Sequence, residues 1–429
     1  MKYCKRCTLY FLLLCTLHSA AQTDTVPVFK GAVKANREKL YADIIKYGIT
    51  KNLSLPLADT TEENWENAFD DIELINYKQL WIDEKIKMAF DGIEKRSEDF
   101  QRSLLEMLYA VNNKSFIPQV RLLLQQTVNA KLFAMCGEYL ILNKAITPEL
   151  SATAKSRGQQ LLTDTDGKTN TIIACFMTSL AHAQTKKNTP LPIRDCLDKN
   201  YLKNNVVLYS IQRKNRNYPG IIIVKDINGN FIRDERGAVF SVPQLARSIS
   251  NMPCYLTNGN TPQGIFRMHG FDVSRSQALG PTQNIQLAMP YETSVQQFLR
   301  DSNITDTEWT ETLYKKLLPE SWKKNFAAFE TYYASKAGRT EIIAHGTTVD
   351  PDYYKGQSYY PHTPTEGCLC TKELWSAADG KRSESDQQKL VDAVKKAGGP
   401  EGYLLVIEID DQQKPVSINE LLPYLKTIK

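Results

Sequence analysis

The sequence predicts an α+β protein in which an all-helical N-terminal domain precedes a β-rich domain with a helical insertion. Between residues 28 and 195, apolar residues recur at steps of three and four, as they do along one buried face of a helix. From residue 205 to 425 the pattern changes to short β-branched runs separated by glycine, asparagine and proline, which indicates strands. Helical spacing returns at about residues 292–339, and this stretch is the predicted insertion.

Five helical segments are predicted in the first domain. In each, the apolar residues would form one stripe on a helix of 3.6 residues per turn. Pro118 falls near the start of its segment, where a missing N–H costs little. The segments read NREKLYADIIKYGI, YKQLWIDEKIKMAFDGI, FQRSLLEMLYAV, FIPQVRLLLQQT and AKLFAMCGEYLIL. A polar, proline-bearing stretch at residues 185–195 is the predicted linker to the second domain.

The second domain begins with two predicted strands, NNVVLYSIQRKN and YPGIIIVKDINGNFIRD, the latter with a hairpin turn at its Asn-Gly pair. Further strands are predicted in GAVFSVPQLARSI, CYLTNGNTPQGIFRMHGFDVS, TEIIAHGTT and the strongly apolar GYLLVIEI. The segments TKELWSAAD and DQQKLVDAVKKAG are predicted to be helical. The tyrosine-rich loop of residues 347–366 is predicted to act as a lid over a site, and a packed surface loop is the alternative.

The leader and the charge limit the functional classes. Residues 1–21 read as a secretory signal, with Lys2, Lys5 and Arg6 before the ten apolar residues TLYFLLLCTL and a cleavage site after Ala21. Removing this leader lowers the net charge from +5 to +2, too little to indicate nucleic-acid binding. We therefore expect an exported protein of the periplasm or cell envelope. No transmembrane segment is expected after cleavage, because no later stretch is long enough to span a bilayer.

Six cysteines remain after the leader, and their spacing does not indicate a metal site. These six form no CxxC motif and no cysteine–histidine group with zinc spacing. Cys136 and Cys175 lie in apolar segments with helical spacing and are expected to be buried. The other four are Cys196, Cys254, Cys368 and Cys370.

The segment PTEGCLC places Cys368 directly after a glycine, in a pattern suited to a nucleophile on a turn. Gly367 lets the chain turn sharply, and neighbouring backbone N–H groups can then face a developing oxyanion. A cysteine nucleophile needs a base, and the nearest candidates are His345, at the end of an apolar strand, and His362, in the loop.

These residues resemble the catalytic domain of the L,D-transpeptidases, cysteine enzymes that cross-link bacterial peptidoglycan. The family has a strand ending in His-Gly-Thr, a variable loop, and a Ser-His-Gly-Cys motif followed after one residue by arginine. Here His345-Gly346-Thr347 and Gly367-Cys368 match the first and last parts. Thr261-Pro262-Gln263-Gly264 matches a further Thr-Pro-x-Gly feature. The similarity covers about residues 205–412.

The resemblance implies an acyl transfer from a peptidoglycan stem peptide. Cys368 would attack the carbonyl between the third and fourth stem residues, and His345, oriented by the Gly346 carbonyl, would act as base and then acid. Backbone N–H groups of Gly367 and Cys368 would hold the oxyanion, and neither a metal nor an organic cofactor would be needed. The remaining candidate substrate-binding residues are Thr261, Pro262, Gly264, His269, Thr347, His362 and Glu366.

The sequence departs from the family at two positions. Thr365-Glu366 replaces Ser-His, and Cys370 replaces the arginine. An anionic Glu366 would raise the pKa of the thiol, and His362 or His269 would have to supply the missing histidine. Cys370 is expected to pair with Cys254 or to stay free, because a bridge to Cys368 would be strained.

Two other functions remain open from the sequence. The domain could have lost catalysis and kept peptidoglycan recognition, with the helical domain as a surface for a protein partner. It could also be another cysteine hydrolase, such as an amidase or peptidase, although such an enzyme has no need of the Thr-Pro-x-Gly feature.

Overall fold

A computed structural model describes residues 26–162, 166–185 and 190–425. The predicted signal peptide, the leader cysteines and residues 186–189 of the predicted linker lie outside these ranges. Helices occupy the N-terminal part up to Leu197, and the first strand begins at Val206. Helices and a large mixed sheet together confirm the predicted α+β class, with the helical insertion between strands. None of the helices in the described ranges is both long and apolar enough to span a bilayer.

The N-terminal helices up to residue 185 pack around one apolar core, whereas Cys196 and Leu197 of the last short helix pack against the sheet. The helix α5 begins where the Ser97 hydroxyl accepts a hydrogen bond from the N–H of Phe100, and it ends at Asn112 in a left-handed conformation. Pro118 lies in the first turn of α6, as predicted. The helices are α1 Lys34–Asp43, α2 Asn52–Ser54, α3 Glu62–Leu74, α4 Leu80–Phe90, α5 Glu98–Val111, α6 Ile117–Gln126, α7 Ala130–Leu142, α8 Pro148–Leu161, α9 Gly167–Thr185 and α10 Arg194–Leu197, with a π-helix Ile44–Lys51 after α1.

Among the described residues, eight strands form one sheet in the order β3-β2-β1-β10-β4-β5-β6-β7, and two more form a small hairpin. The pairs β1–β10 and β6–β7 are parallel, and the other pairs in the large sheet are antiparallel. The strands are β1 Val206–Arg213, β2 Gly220–Lys225, β3 Val242–Gln244, β4 Gly264–Asp272, β5 Asn284–Ala288, β6 Ile343–His345, β7 Leu369–Cys370, β8 Glu373–Trp375, β9 Arg382–Ser385 and β10 Glu401–Asp410.

Helices cover both faces of the large sheet. Alternate residues of the central strands point to opposite faces, so β10 contributes Leu405 to one apolar cluster and Leu404 to the other. The insertion packs on the first face through large rings such as Trp322, and α14 packs on the second through Leu390. These elements are α11 Val295–Leu299, α12 Glu311–Lys315, α13 Glu330–Lys336, α14 Asp386–Ala397 and α15 Ile418–Leu425.

The helical and β-rich parts share buried surface. Met252, Tyr255 and Leu256, from a loop of the β-rich part, lie in the apolar core of the helical part. At roughly 1.5–3 kcal/mol for each large apolar side chain, such burial opposes separation of the two parts.

The tyrosine-rich loop of residues 347–366 is packed through Tyr353, Tyr354 and Tyr359, as the packed-loop alternative predicts, whereas Tyr360 is exposed. Tyr354 and Tyr359 are buried, and the Tyr354 hydroxyl donates to the carbonyl of Leu74 in α3 at 2.8 Å. Tyr353 stacks on Tyr41 of α1 with ring centroids 5.8 Å apart. The loop therefore joins the helical part to the sheet.

A second correction concerns the segment after Cys370. TKELWSAAD was predicted to be helical, but Glu373–Trp375 is the strand β8, paired with β9. The side chains of Glu373 and Trp375 are both buried, which is the two-residue alternation of a strand. The segment is too short for its apolar residues to distinguish a strand from a helix. The predicted helix DQQKLVDAVKKAG corresponds to α14, and GYLLVIEI to β10.

Candidate functional site

Strands β6 and β7 bring the candidate histidine and cysteine to neighbouring positions. In their parallel register Ala344 lies beside Leu369, and His345 lies beside Cys370. Ala344 and Leu369 face the apolar core under α14, so His345 and Cys370 point to the opposite face. Cys368, one residue before β7, is the diagonal neighbour of His345 in this register.

The Gly367 turn has a geometry that admits only glycine. Its φ is +113°, and a Cβ there would lie 1.8 Å from a guanidinium nitrogen of Arg339. The Thr365 hydroxyl closes the turn, because it accepts from the N–H of Gly367 and donates to the carbonyl of Cys368, both at 3.0 Å. Gly367 therefore uses its N–H within the turn, which leaves the N–H of Cys368 as the remaining donor of the predicted oxyanion pair.

The Cys368 sulfur is half-buried against the backbone that leads into β6. The N–H of Ile343 donates to Sγ at 3.5 Å, and the thiol donates to the carbonyl of Glu341 at 3.6 Å. Burial raises the pKa of Cys368 to about 11; Arg339 opposes this rise and Glu366 adds to it. The residue is a neutral thiol at physiological pH. The imidazole of His345 is not among the described contacts of the sulfur.

The His345 ring is held in one tautomer. Its Nδ1 contacts the carbonyl oxygen of Gly346, the contact implied by the family resemblance. A carbonyl can only accept, so Nδ1 carries the hydrogen and Nε2 keeps a free lone pair. Burial lowers the pKa of His345 to about 4, so the ring is neutral at physiological pH. Nε2 is therefore the nitrogen at which this ring can accept a proton.

Glu373, which the sequence analysis missed, lies directly beneath the His-Gly-Thr turn. Its carboxylate accepts hydrogen bonds from the hydroxyls of Thr282 and Ser385 and lies 3.5 Å from Arg382. A Cβ on Gly346 would come within 2.2 Å of the same carboxylate. The glycine of this motif is therefore needed for the close approach of Glu373, which fixes the turn that carries His345. Because this segment was predicted to be a helix, the sequence did not indicate that Glu373 lies next to the turn that carries His345.

Arg339 is the second residue that the sequence analysis missed. Its side chain is buried, and its guanidinium donates to the carbonyls of Gly259, Asn260 and Gly367, and also to that of Cys254. Its described hydrogen bonds thus go to neutral oxygens, although a buried guanidinium is usually paired with a carboxylate. Because it lowers the pKa of Cys368, the site holds a positive charge next to the thiol. No motif at Lys336–Thr340 indicated this role.

The Thr-Pro-x-Gly segment, residues 261–264, packs against the turn that carries Cys368. The Thr261 hydroxyl donates to the carbonyl of Gly367 at 2.9 Å, which joins the two motifs directly. Pro262 is buried, and Gly264 has a φ of +115° with the hydroxyls of Thr331 and Tyr314 filling the place of a side chain. These residues position the turn, and the insertion covers Gly264.

The other candidate substrate-binding residues are dispersed. Thr347 is buried, with its hydroxyl bonded to Val349 and Thr363. His269 is exposed on β4, where it lines a cavity of about 450 Å³ with Arg267, Glu292 and Arg300.

Neither His362 nor Glu366 replaces the second histidine of the family. His362 is buried with its Nδ1 3.2 Å from the carbonyl of Tyr359, and its nearest charges belong to Asp386 and Lys372. Glu366 is exposed at the surface and interacts electrostatically with Asp70 and Arg102 of the helical part, and partial desolvation raises its pKa.

The cysteines of the described ranges are all free thiols. Cys370 is buried with its sulfur 3.8 Å from the Thr363 hydroxyl, and of its two expected states, paired with Cys254 or free, the structure has the free thiol. Cys136 and Cys175 are buried, as predicted. In the part of the chain that the structure describes, no cluster of histidine, cysteine and carboxylate side chains could hold a metal ion.

Comparisons with protein-family models, with curated proteins and with solved structures give no match for this chain.

Proposed function

We propose that the protein is an exported cysteine acyltransferase that acts on peptidoglycan stem peptides through a Cys368 thioester. The observation that carries this proposal is the arrangement of β6 and β7. It places a partly accessible thiol diagonally beside a neutral histidine whose Nδ1 is held by a backbone carbonyl. The residue order and the three motifs of the L,D-transpeptidase resemblance support the choice of substrate. The helical part would serve as a surface for the substrate or for a protein partner.

The first half-reaction would form the thioester. Rotation about the Cα–Cβ bond of Cys368 would release Sγ from the Glu341 carbonyl and turn it toward Nε2 of His345. Sγ then attacks the carbonyl carbon between the third and fourth stem residues while Nε2 takes the thiol proton. The Cys368 N–H would donate to the oxyanion, and the positive charge of Arg339 would stabilise it. Collapse breaks the C–N bond, and His345 returns the proton to the departing amine.

The second half-reaction would release the acyl group. An amine of another stem peptide, or water, attacks the thioester carbon while Nε2 of His345 takes a proton from the attacking group. The C–S bond breaks, and the proton passes to the sulfur of Cys368, which restores the thiol. An amine acceptor gives a cross-link, whereas water gives a trimmed stem.

The reaction is expected to tolerate acid better than one with an ordinary histidine base. His345 must be neutral to accept a proton, and burial holds its pKa at about 4. The rate kcat/KM should therefore stay within about twofold between pH 7.5 and pH 5.5. A histidine with the usual pKa of about 6.5 would lose roughly tenfold over that range. Initial rates in buffers of constant ionic strength would test this, and a tenfold loss would contradict the assigned environment of His345.

The proposed function is tested by intact-protein mass spectrometry of the mature chain with a tetrapeptide-bearing muropeptide. We expect a time-dependent acyl adduct together with released fourth residue. Products of higher mass would identify transpeptidation, and a shortened stem alone would identify carboxypeptidation. Binding of the muropeptide without adduct or product would show instead that the site is a recognition module. That outcome would be consistent with the raised pKa of Cys368 and the Glu366 substitution.

A further inference from the structure

A large cleft separates the helical part from the β-rich part, away from the candidate thiol. Its volume is about 1440 Å³. One wall comes from α7 and α9, and the other from residues 214–217, residues 251–261 and the insertion. Cys368 is not among its lining residues. Ligand sites commonly lie in clefts of this kind at domain interfaces, where a few polar groups converge.

The inner surface of the cleft carries buried carboxylates with neutral partners. Glu138 on α7 is 5% exposed and accepts from the Tyr255 hydroxyl at 2.8 Å. Burial raises the pKa of Glu138 to about 7, although the hydroxyls of Ser179 and Tyr255 oppose the rise. Glu330 on α13 accepts from the backbone and side-chain amides of Gln263. A cation brought into this space would gain from both carboxylates, because neither has a described ion pair.

The distribution of charge differs between the inside and the rim. Inside, Glu408 is already paired with Arg216 at 2.9 Å, whereas Glu138 and Glu330 have no ion pair among the described contacts. The rim is mainly basic and exposed. Its charged or titratable residues are Lys144, His182, Lys214, Lys324 and Asp411. A ligand with an ammonium group at its inner end and a carboxylate at its outer end would match both regions.

The other lining groups suit a peptide. Phe326 is 38% exposed and stacks on Tyr333 with ring centroids 5.1 Å apart, which offers an apolar surface to an aliphatic side chain. Side-chain amides around the cleft already make hydrogen bonds within the protein, and their remaining hydrogens and lone pairs can meet peptide groups. These amides belong to Asn215, Asn217, Asn251, Asn260 and Asn325.

We propose that this interdomain cleft binds a short zwitterionic peptide, with its ammonium group at Glu138 and Glu330 and its carboxylate at the lysine rim. The site does not use Cys368, so the inference stands apart from the proposed reaction. Its position nevertheless links it to the thiol, because Thr261 lines the cleft and its hydroxyl holds the carbonyl of Gly367.

The test is calorimetric titration of the full chain with the peptide N-acetyl-alanyl-glutamyl-lysine and with the same peptide acetylated on the lysine side chain. The first should bind, and the second should bind at least about tenfold more weakly, because acetylation removes the charge that the carboxylates recognise. Glu330→Gln and Glu138→Gln should each weaken binding by about tenfold. Glu84→Gln, which changes an exposed carboxylate on α4, is the matched control and should bind normally.

Cys368→Ala should also bind the free-amine peptide normally, which separates this site from the proposed reaction. Thermal unfolding of each variant checks that the fold is intact. If Glu138→Gln fails to fold, the affinity of Glu330→Gln for the free-amine peptide tests the proposal, because Glu330 is less buried. Equal binding of the two peptides, binding unaffected by Glu330→Gln, or no binding of either peptide to the wild-type chain would overturn the proposal.

Discussion

Replacing Cys368 with alanine is expected to abolish acyl transfer, with a loss of at least about a thousandfold in rate, because it removes the sulfur that is proposed to form the thioester. Cys370→Ala is the matched control. Cys370 lies two residues away but is buried, so its replacement should retain most of the activity. Removing its sulfur should lower the free energy of unfolding by about 1 kcal/mol.

Intact-protein mass spectrometry with a carbapenem, which the family resemblance implies as an acylating reagent, distinguishes the two cysteines. The adduct should form on the wild type and on Cys370→Ala and should be missing from Cys368→Ala. His345→Ala should slow its formation strongly, because the thiol loses its base. An adduct that persists without Cys368 but disappears without Cys370 would move the nucleophile to the residue that lies directly beside His345 in the strand register.

Replacing Gly367 with alanine is expected to be the most damaging change that leaves all the reacting groups in place. The new Cβ would lie 1.8 Å from the Arg339 guanidinium and 2.4 Å from the carbonyl oxygen of Gly259. Arg339 is buried and cannot move without breaking its bonds to several carbonyls. We expect the free energy of unfolding to fall by about 2–4 kcal/mol and the acylation rate to fall about a hundredfold or more.

The control for this change is Gly356→Ala. Gly356 also has a positive φ, of +90°, but no atom lies within 4 Å of the position of a Cβ. Gly356→Ala should therefore lower the free energy of unfolding by about 1 kcal/mol, the cost of a positive φ for alanine, and should leave the acylation rate unchanged. Urea unfolding and single-turnover acylation would measure both quantities. If Gly367→Ala and Gly356→Ala lowered the free energy of unfolding equally, the close approach of Arg339 to Gly367 would not contribute to stability.

Much of the fold could be predicted from the sequence because its signals are local. The apolar spacing of the first domain, the return of helical spacing in the insertion and the apolar run of β10 each depend on a few consecutive residues. The Asn-Gly pair predicted the hairpin correctly, and in it the backbone N–H of Asp226 donates to the carbonyl of Asn230 at 2.8 Å. The glycine before Cys368 was likewise recognisable, because a sharp turn of positive φ favours glycine.

The surroundings of the candidate site could be predicted only in part. The motifs identified His345, Gly346, Gly367, Cys368 and Thr261, and the structure joins Thr261 to Gly367 and His345 to Gly346. The motifs gave no information about side chains that approach from distant segments. Arg339 and Glu373 were missed for this reason, and the described contacts of His269 and His362 do not include the thiol.

The sequence by itself determined which elements form and where the two glycine turns of the candidate site lie, because both depend on local periodicity and backbone freedom. The tertiary structure decided which residues meet. The parallel register of β6 and β7 sets Cys370 beside His345 and Cys368 diagonally to it. Burial then sets the protonation of both reacting groups, and the packing of the helical part creates the interdomain cleft. These properties depend on contacts between segments far apart in the chain, and no local pattern encodes them.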